Sequence, residues 1–281
     1  MKRAKKLIWL LVTAAVFAAA PLTAMALPAG GYVPTAATWY YQDSSTKKWV
    51  KDYKVSFSYK KDGRLTKITN KYQGTTASTA YTWKGNYITK INYKNSENML
   101  SSTTYKYKNK KLISYQYNGN KGANLAYKYK WKGKTGTYTQ TGEGGSSTYK
   151  LTINAKGQLV KETCKDNDGF ETTSIYKYYG NGNLKSSTIK GKGFDSSFTR
   201  VKKFNQKGYI TLESLTSRSN IDKTTYKYKT QKGKIREVVF TNTFKEGEYS
   251  YEASRKLVFT KWKKVSHVRN CDAWGNTIPI W

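Results

Sequence analysis

Asp166, Asp168 and Glu171 lie in and beside the run Lys165-Asp166-Asn167-Asp168-Gly169. Oxygen-rich turns of this kind hold calcium when a bidentate carboxylate closes the ligand set. No acid stands at that closing position, so the run is expected to be a solvated turn. His267 is the one histidine, and with the distant Cys164 and Cys271 it assembles neither a zinc site nor a catalytic triad. The two cysteines leave open one long-range disulfide or two unpaired core thiols, since spacing alone does not fix distance. Gly142-Glu143-Gly144-Gly145 has no helix pattern behind it to cradle phosphate, and no Gly-x-Ser-x-Gly elbow occurs. Sugar hydrolysis needs two carboxylates held together, whereas the acidic residues here are few and mostly in turns. The expectation is a non-enzymatic chain with no catalytic residue, metal site or cofactor. Trp83, Trp131 and Trp262 break a pattern that is otherwise built from tyrosine. They are the candidate ligand-binding residues, as stacking platforms for sugar rings or for the bases of a single strand; the competing reading is that alternating aromatics form a core.

The elements that must position these residues repeat along the chain. An aromatic-x-aromatic segment recurs as Phe57-Ser58-Tyr59, Tyr105-Lys106-Tyr107, Tyr127-Lys128-Tyr129, Tyr176-Lys177-Tyr178 and Tyr226-Lys227-Tyr228. Period two means strand. A Gly or Asn turn follows each time, at Gly63, Gly85, Asn109, Gly157, Gly182, Gly208 and Gly233, and then Leu65, Tyr87, Leu112, Leu159, Leu184, Ile210 or Ile235 opens a return strand. No proline interrupts the interval from Ala36 to Thr277, so every strand there can donate its backbone hydrogen bonds. The fold class is therefore all-β. It is an antiparallel meander of repeated β-hairpins, about 16 to 20 strands, in one large curled sheet, an open half-barrel or a spiral shell. A closed barrel satisfies the same alternation. One face collects tyrosine, which would make the core, while the other collects lysine and threonine, and lysine there discourages edge pairing between molecules.

The repeat unit resembles the YD-repeat, or rearrangement-hotspot repeat, in Phe57-Ser58-Tyr59-Lys60-Lys61-Asp62-Gly63-Arg64-Leu65-Thr66-Lys67-Ile68. Asn270-Cys271-Asp272-Ala273-Trp274-Gly275-Asn276 is similar to the ending of such arrays, with cysteine where that family has tyrosine. A second resemblance is to small exported proteins of unknown function with a porin-like half-barrel sheet. Both resemblances imply hairpins wound into a curved sheet or shell, and neither transfers a catalytic residue.

At the N-terminus Lys2, Arg3, Lys5 and Lys6 precede an uncharged apolar run from Leu7 to Leu22, and Ala24-Met25-Ala26 follows. Residues 1–26 read as a secretory signal peptide cleaved after Ala26. Residues 27–46 read as a flexible lead and first strand, 47–261 as the hairpin-repeat domain and 262–281 as a C-terminal capping repeat. No later apolar stretch approaches membrane-spanning length. The formal charge is +34, and losing four signal-peptide cations leaves about +30, which calls for a polyanionic partner or strong screening. The leading expectation is a secreted or envelope-associated protein that binds anionic wall polymers or polysaccharides through its lysine face; nucleic acid is not expected. The alternative is a structural or surface-display module with a protein partner. An outer-membrane barrel is disfavoured by a Tyr-rich aromatic face and by hairpins that look short for spanning strands of about 9 to 11 residues.

Overall fold

A computed structural model describes residues 31–266, except 86, 98, 110, 120–123, 143–144, 167–168, 194–195 and 207. The first nine strands are β1 (Gly31–Gln42), β2 (Trp49–Tyr59), β3 (Leu65–Tyr72), β4 (Thr75–Lys84), β5 (Tyr87–Asn95), β6 (Leu100–Lys108), β7 (Lys111–Asn118), β8 (Asn124–Lys132) and β9 (Thr135–Gly142). The next nine are β10 (Gly145–Ile153), β11 (Leu159–Lys165), β12 (Glu171–Tyr178), β13 (Leu184–Lys192), β14 (Ser197–Phe204), β15 (Ile210–Ser217), β16 (Asn220–Gln231), β17 (Lys234–Glu246) and β18 (Tyr249–Val265). Each pairs antiparallel with its successor.

β18 then returns to β1, in register from Tyr41 opposite Arg255 to Gly31 opposite Val265. The all-β meander expected from sequence is present, but the open curled sheet, half-barrel and spiral shell give way to a closed barrel. Closure follows from the pairing of the first and last strands, which satisfies both edges that an open sheet would leave bare. Pro34 sits where the β1–β18 register shifts, at an irregularity that tolerates a residue without an N–H. Strand length is uneven: β1 and β16 have 12 residues, β17 has 13 and β18 has 17, whereas β3, β7, β9, β11, β12, β14 and β15 have 7 or 8.

Turn chemistry explains the hairpins. In Lys60–Arg64 the Lys60 N–H donates to the Arg64 carbonyl (2.8 Å) and the Gly63 N–H folds back to the Lys60 carbonyl (3.1 Å). Gly63 has φ 81° and Gly182, in the matching Tyr179–Asn183 turn, has φ 88°, a region costly for any residue with a Cβ. The same two bonds recur in Asn154–Gln158 and Asn205–Tyr209.

Alternation decides which residues share a face. Val55, Phe57 and Tyr59 on β2, Tyr127 and Tyr129 on β8, and Leu257 and Phe259 on β18 are buried and belong to one apolar cluster that runs round the sheet. That cluster is on the concave side. Trp39 on β1 lies 4.9 Å from Phe240 on β17, across the intervening β18, and Tyr138 on β9 reaches Glu162 on β11 across β10. Such contacts between second-neighbour strands are what side chains converging inside a curved wall make.

In several hairpins the aromatic near the end of the outgoing strand anchors the return strand of the preceding hairpin. Tyr107, Tyr178 and Tyr228 donate their hydroxyls to the carbonyls of Ile88, Leu159 and Ile210, at 3.1, 2.8 and 2.7 Å. These bonds tie neighbouring hairpins together near the turns, where the ladder would otherwise fray.

Candidate functional site

The convex face carries the charge. Lys54, Lys106, Lys128, Lys130, Lys132, Lys150, Lys161, Lys177, Lys190 and Lys227 are exposed and alternate with inward residues of their strands. Most carboxylates on the strands are turned inward, as in Glu162, Glu213 and Asp222, or paired, as in Glu171 with Lys165 (3.0 Å) and Glu237 with Lys229 (2.8 Å), while Glu246 and Glu252 are exposed at the end of the β17–β18 hairpin. The outward positive field is therefore little compensated.

That field is concentrated in an open groove of about 490 Å³ crossing β8 to β11. Lys130 and Lys132 border it on β8, Lys150 and Lys161 on β10 and β11, and Thr135, Thr137, Thr152 and Thr163 lie among them. Register builds the arrangement: Lys130 is opposite Thr137, which is opposite Lys150, while Lys132 is opposite Thr135, which is opposite Thr152, itself opposite Lys161. Lysines two apart on one strand are about 7 Å apart, and positions two strands away are about 10 Å apart. Four ammonium groups around threonine hydroxyls suit phosphate, sulfate or carboxylate groups on a hydroxyl-bearing chain.

The three tryptophans occupy the aromatic anchor position of the repeat. The indole N–H groups of Trp83, Trp131 and Trp262 donate to the carbonyls of Leu65, Leu112 and Ile235, at 2.7, 2.9 and 3.2 Å. All three are half-buried and packed against the core. Trp131 also borders the groove, and Lys111 stands 5.3 Å from its ring centre; Arg236 is 4.3 Å from that of Trp262. The structure thus does not gather the three into one platform: they lie on β4, β8 and β18.

Gly136 makes room for the Trp131 ring, since a Cβ there would come within 2.7 Å of it. Gly136→Ala is expected to push the indole off the Leu112 carbonyl, lower stability by about 1–3 kcal/mol and shift the tryptophan emission. Urea unfolding followed by fluorescence checks both.

The concave wall holds the titratable groups that sequence reasoning missed. Glu162 is buried and accepts hydrogen bonds from the hydroxyls of Tyr138 (2.6 Å) and Tyr176 (3.4 Å). Burial pushes its carboxyl up to about 7, against those two donors. Lys202 pairs with Glu213, which also accepts from the Tyr226 hydroxyl at 2.7 Å. Burial lowers the Arg200 guanidinium, opposed by the Glu213 and Asp222 carboxylates. Glu162, Glu213 and Lys202 are paired or hydrogen-bonded, as burial demands. Period two contained the signal: Phe198, Arg200, Lys202 and Phe204 share a face, and the flanking aromatics mark it as inward.

Asp166 braces its own turn, its carboxylate accepting from the Phe170 N–H at 2.8 Å. Among the described residues no group of histidine, cysteine and acids is placed to hold a metal. Cys164 is buried opposite Tyr149 in register, and burial pushes its thiol up to about 11. Cys271, His267, Asp168 and the cleavage position Ala26 lie outside the described residues.

No protein-family model matches the chain, and no curated protein matches it. Among solved structures, a porin-like protein from Bacteroides uniformis is similar, with 17% identity and a TM-score of 0.41 over 81% of this chain and 96% of that one.

Proposed function

We propose that this is an exported, non-enzymatic β-barrel that adheres to anionic envelope polymers through its lysine-covered convex face. The observation that carries the reading is the segregation of charge: lysines exposed outside, most strand carboxylates turned inward or paired. A convex face of this kind is a poor lipid surface. Each lysine placed at a bilayer midplane costs roughly 2–4 kcal/mol, and rows of them would outweigh what the half-exposed aromatics return. It suits a hydrated polyanion, where binding comes from counterion release and needs no deep pocket.

The test is cosedimentation of the exported protein, residues 27–281, with isolated cell walls before and after removal of their anionic polymers, across a salt series. Salt-sensitive pelleting that disappears with the polymers is expected. Pelleting indifferent to salt, or none at low salt, sinks the reading in favour of a display module with a protein partner.

Within that reading the β8–β11 groove is the densest contact. Reversing Lys130 and Lys150 together to glutamate is expected to weaken wall binding about tenfold at roughly 0.1 M salt and to flatten its salt dependence. Both side chains are exposed, so the melting temperature should hardly move. The same reversal at Lys54 on β2 and Lys227 on β16, strands well away from the groove, should do less.

A further inference from the structure

At the rim opposite Gly31 and Ser266, the β17–β18 hairpin presents three aromatic rings. Phe244 and Tyr251 are a registered cross-strand pair with ring centres 5.4 Å apart and stacked. Tyr249 lies 6.2 Å from Tyr251 and 6.3 Å from Phe244. Their face follows from alternation: Val238, Phe240, Asn242 and Phe244 succeed one another at every second position, and the first two are core. These rings therefore line the concave side of the barrel mouth. Unlike the rings deeper in, they are open, Tyr249 being 63% and Tyr251 45% exposed. Tyr41, 41% exposed and opposite Arg255, extends the lip on β1.

An open aromatic cluster carries a solvation cost that contact with a ligand would remove. The mouth of a barrel is also where concave sites form. β18 pairs with β1 only from Arg255 onward, so from Tyr249 to Ser254 the lip has no strand beside it on the β1 side. Just beneath the rings the wall is polar. Asp222, opposite Phe244 in register, accepts a hydrogen bond from the Asn242 side-chain amide, which also donates to the Thr224 hydroxyl at 3.1 Å.

Charge and polarity select the occupant. Glu246 ends β17, Glu248 lies in the turn and Glu252 follows on β18, outnumbering Lys245 and Arg255 in the same hairpin end, so an anionic polymer or an anionic lipid surface finds no cationic patch there. The carboxylate, amide and hydroxyl one step below exclude a wholly apolar ligand. What remains is a ligand with flat C–H faces and many hydroxyls. The geometry points to a neutral-oligosaccharide site at this mouth, with sugar rings stacked on Phe244, Tyr249 and Tyr251 and hydroxyls held by Asp222 and Asn242. It is independent of the cationic convex face, so the two readings can fail separately.

The experiment is calorimetric titration of the exported protein with cellohexaose, maltohexaose, xylohexaose and chitohexaose at low salt and at about 0.5 M, where exposed charges are screened. At least one should bind saturably, with affinity unchanged by salt, and Tyr249→Ala with Tyr251→Ala should weaken it about tenfold or more, in keeping with ring stacking. The double variant alters only exposed rings, so an unchanged melting temperature accompanies the loss, while Lys130→Glu leaves sugar binding intact. No saturation by any of the four at about 10 mM, which is weaker than a specific site, overturns the proposal. So does wild-type binding by the double variant, or binding that salt abolishes.

Discussion

Tyr138→Ala is expected to destabilise the barrel more than any substitution on its convex face, by about 3–5 kcal/mol. Tyr138 is among the largest fully buried side chains. Its ring is stacked on Tyr149 at 4.3 Å and lies 4.9 Å from Tyr129 and 5.6 Å from Tyr127. These contacts continue a file of rings through Tyr115 and Tyr105 that runs round the wall from β6 to β10. Truncation removes the middle of the file and leaves Glu162 without its shorter hydrogen bond. Two conservative changes separate ring from hydroxyl. Tyr138→Phe keeps the packing and should cost about 1–3 kcal/mol, because a buried carboxyl loses a donor. Tyr127→Phe should be neutral or stabilising, since the Tyr127 hydroxyl is buried with no protein hydrogen-bond partner. Urea unfolding of the three variants and of Lys128→Ala, an exposed control, checks the order. If Tyr138→Ala unfolds at the same urea concentration as Lys128→Ala, the file of rings is not a core.

Local pattern carried most of the architecture. Alternation at Tyr127-Lys128-Tyr129 places ring, cation and ring on opposite faces, and the turn at Gly63 needs a residue that accepts positive φ. Closure was not legible in the same way. It depends on β1 meeting β18 after more than two hundred residues, and the hydrophobic pattern of Gly31–Gln42 is equally compatible with an edge strand that stays free. The tryptophans show a different limit. Trp83, Trp131 and Trp262 look exceptional as residue types, yet each makes the bond that tyrosine makes in the other hairpins, from a ring N–H in place of a hydroxyl. Only the position within the repeat, counted back from the turn, would have shown the equivalence. The lysine face was legible from alternation, whereas the groove was not, because bringing Lys130 near Lys150 needs the registers of β8, β9 and β10 together.

Glu162 gives the barrel a pH dependence whose sign can be worked out. Desolvation by burial raises its folded-state value from 4.5 to about 7, and the donors Tyr138 and Tyr176 reduce that rise without cancelling it. In the window between those values the folded protein binds more protons than the unfolded chain, so stability falls as pH rises. The contribution is fully present below 4.5 and is lost as the pH climbs through about 7, a change of roughly 3 kcal/mol for a shift of this size. The groups around the carboxyl do not offset it: Tyr149 and Cys164 are themselves raised by burial and stay neutral across the window. Glu162→Gln keeps an acceptor for Tyr138 and cannot ionise. It should match the wild type near pH 4, exceed it by a few kcal/mol near pH 8, and leave a flatter stability profile between them. Tyr138→Phe should deepen the fall and extend it to higher pH, since losing the donor that favours the carboxylate raises the folded-state value further while the unfolded chain still ionises from 4.5. Urea midpoints across that range decide the matter, and parallel profiles for the wild type and Glu162→Gln would mean that water reaches the carboxyl and the inner wall is wetter than its packing implies.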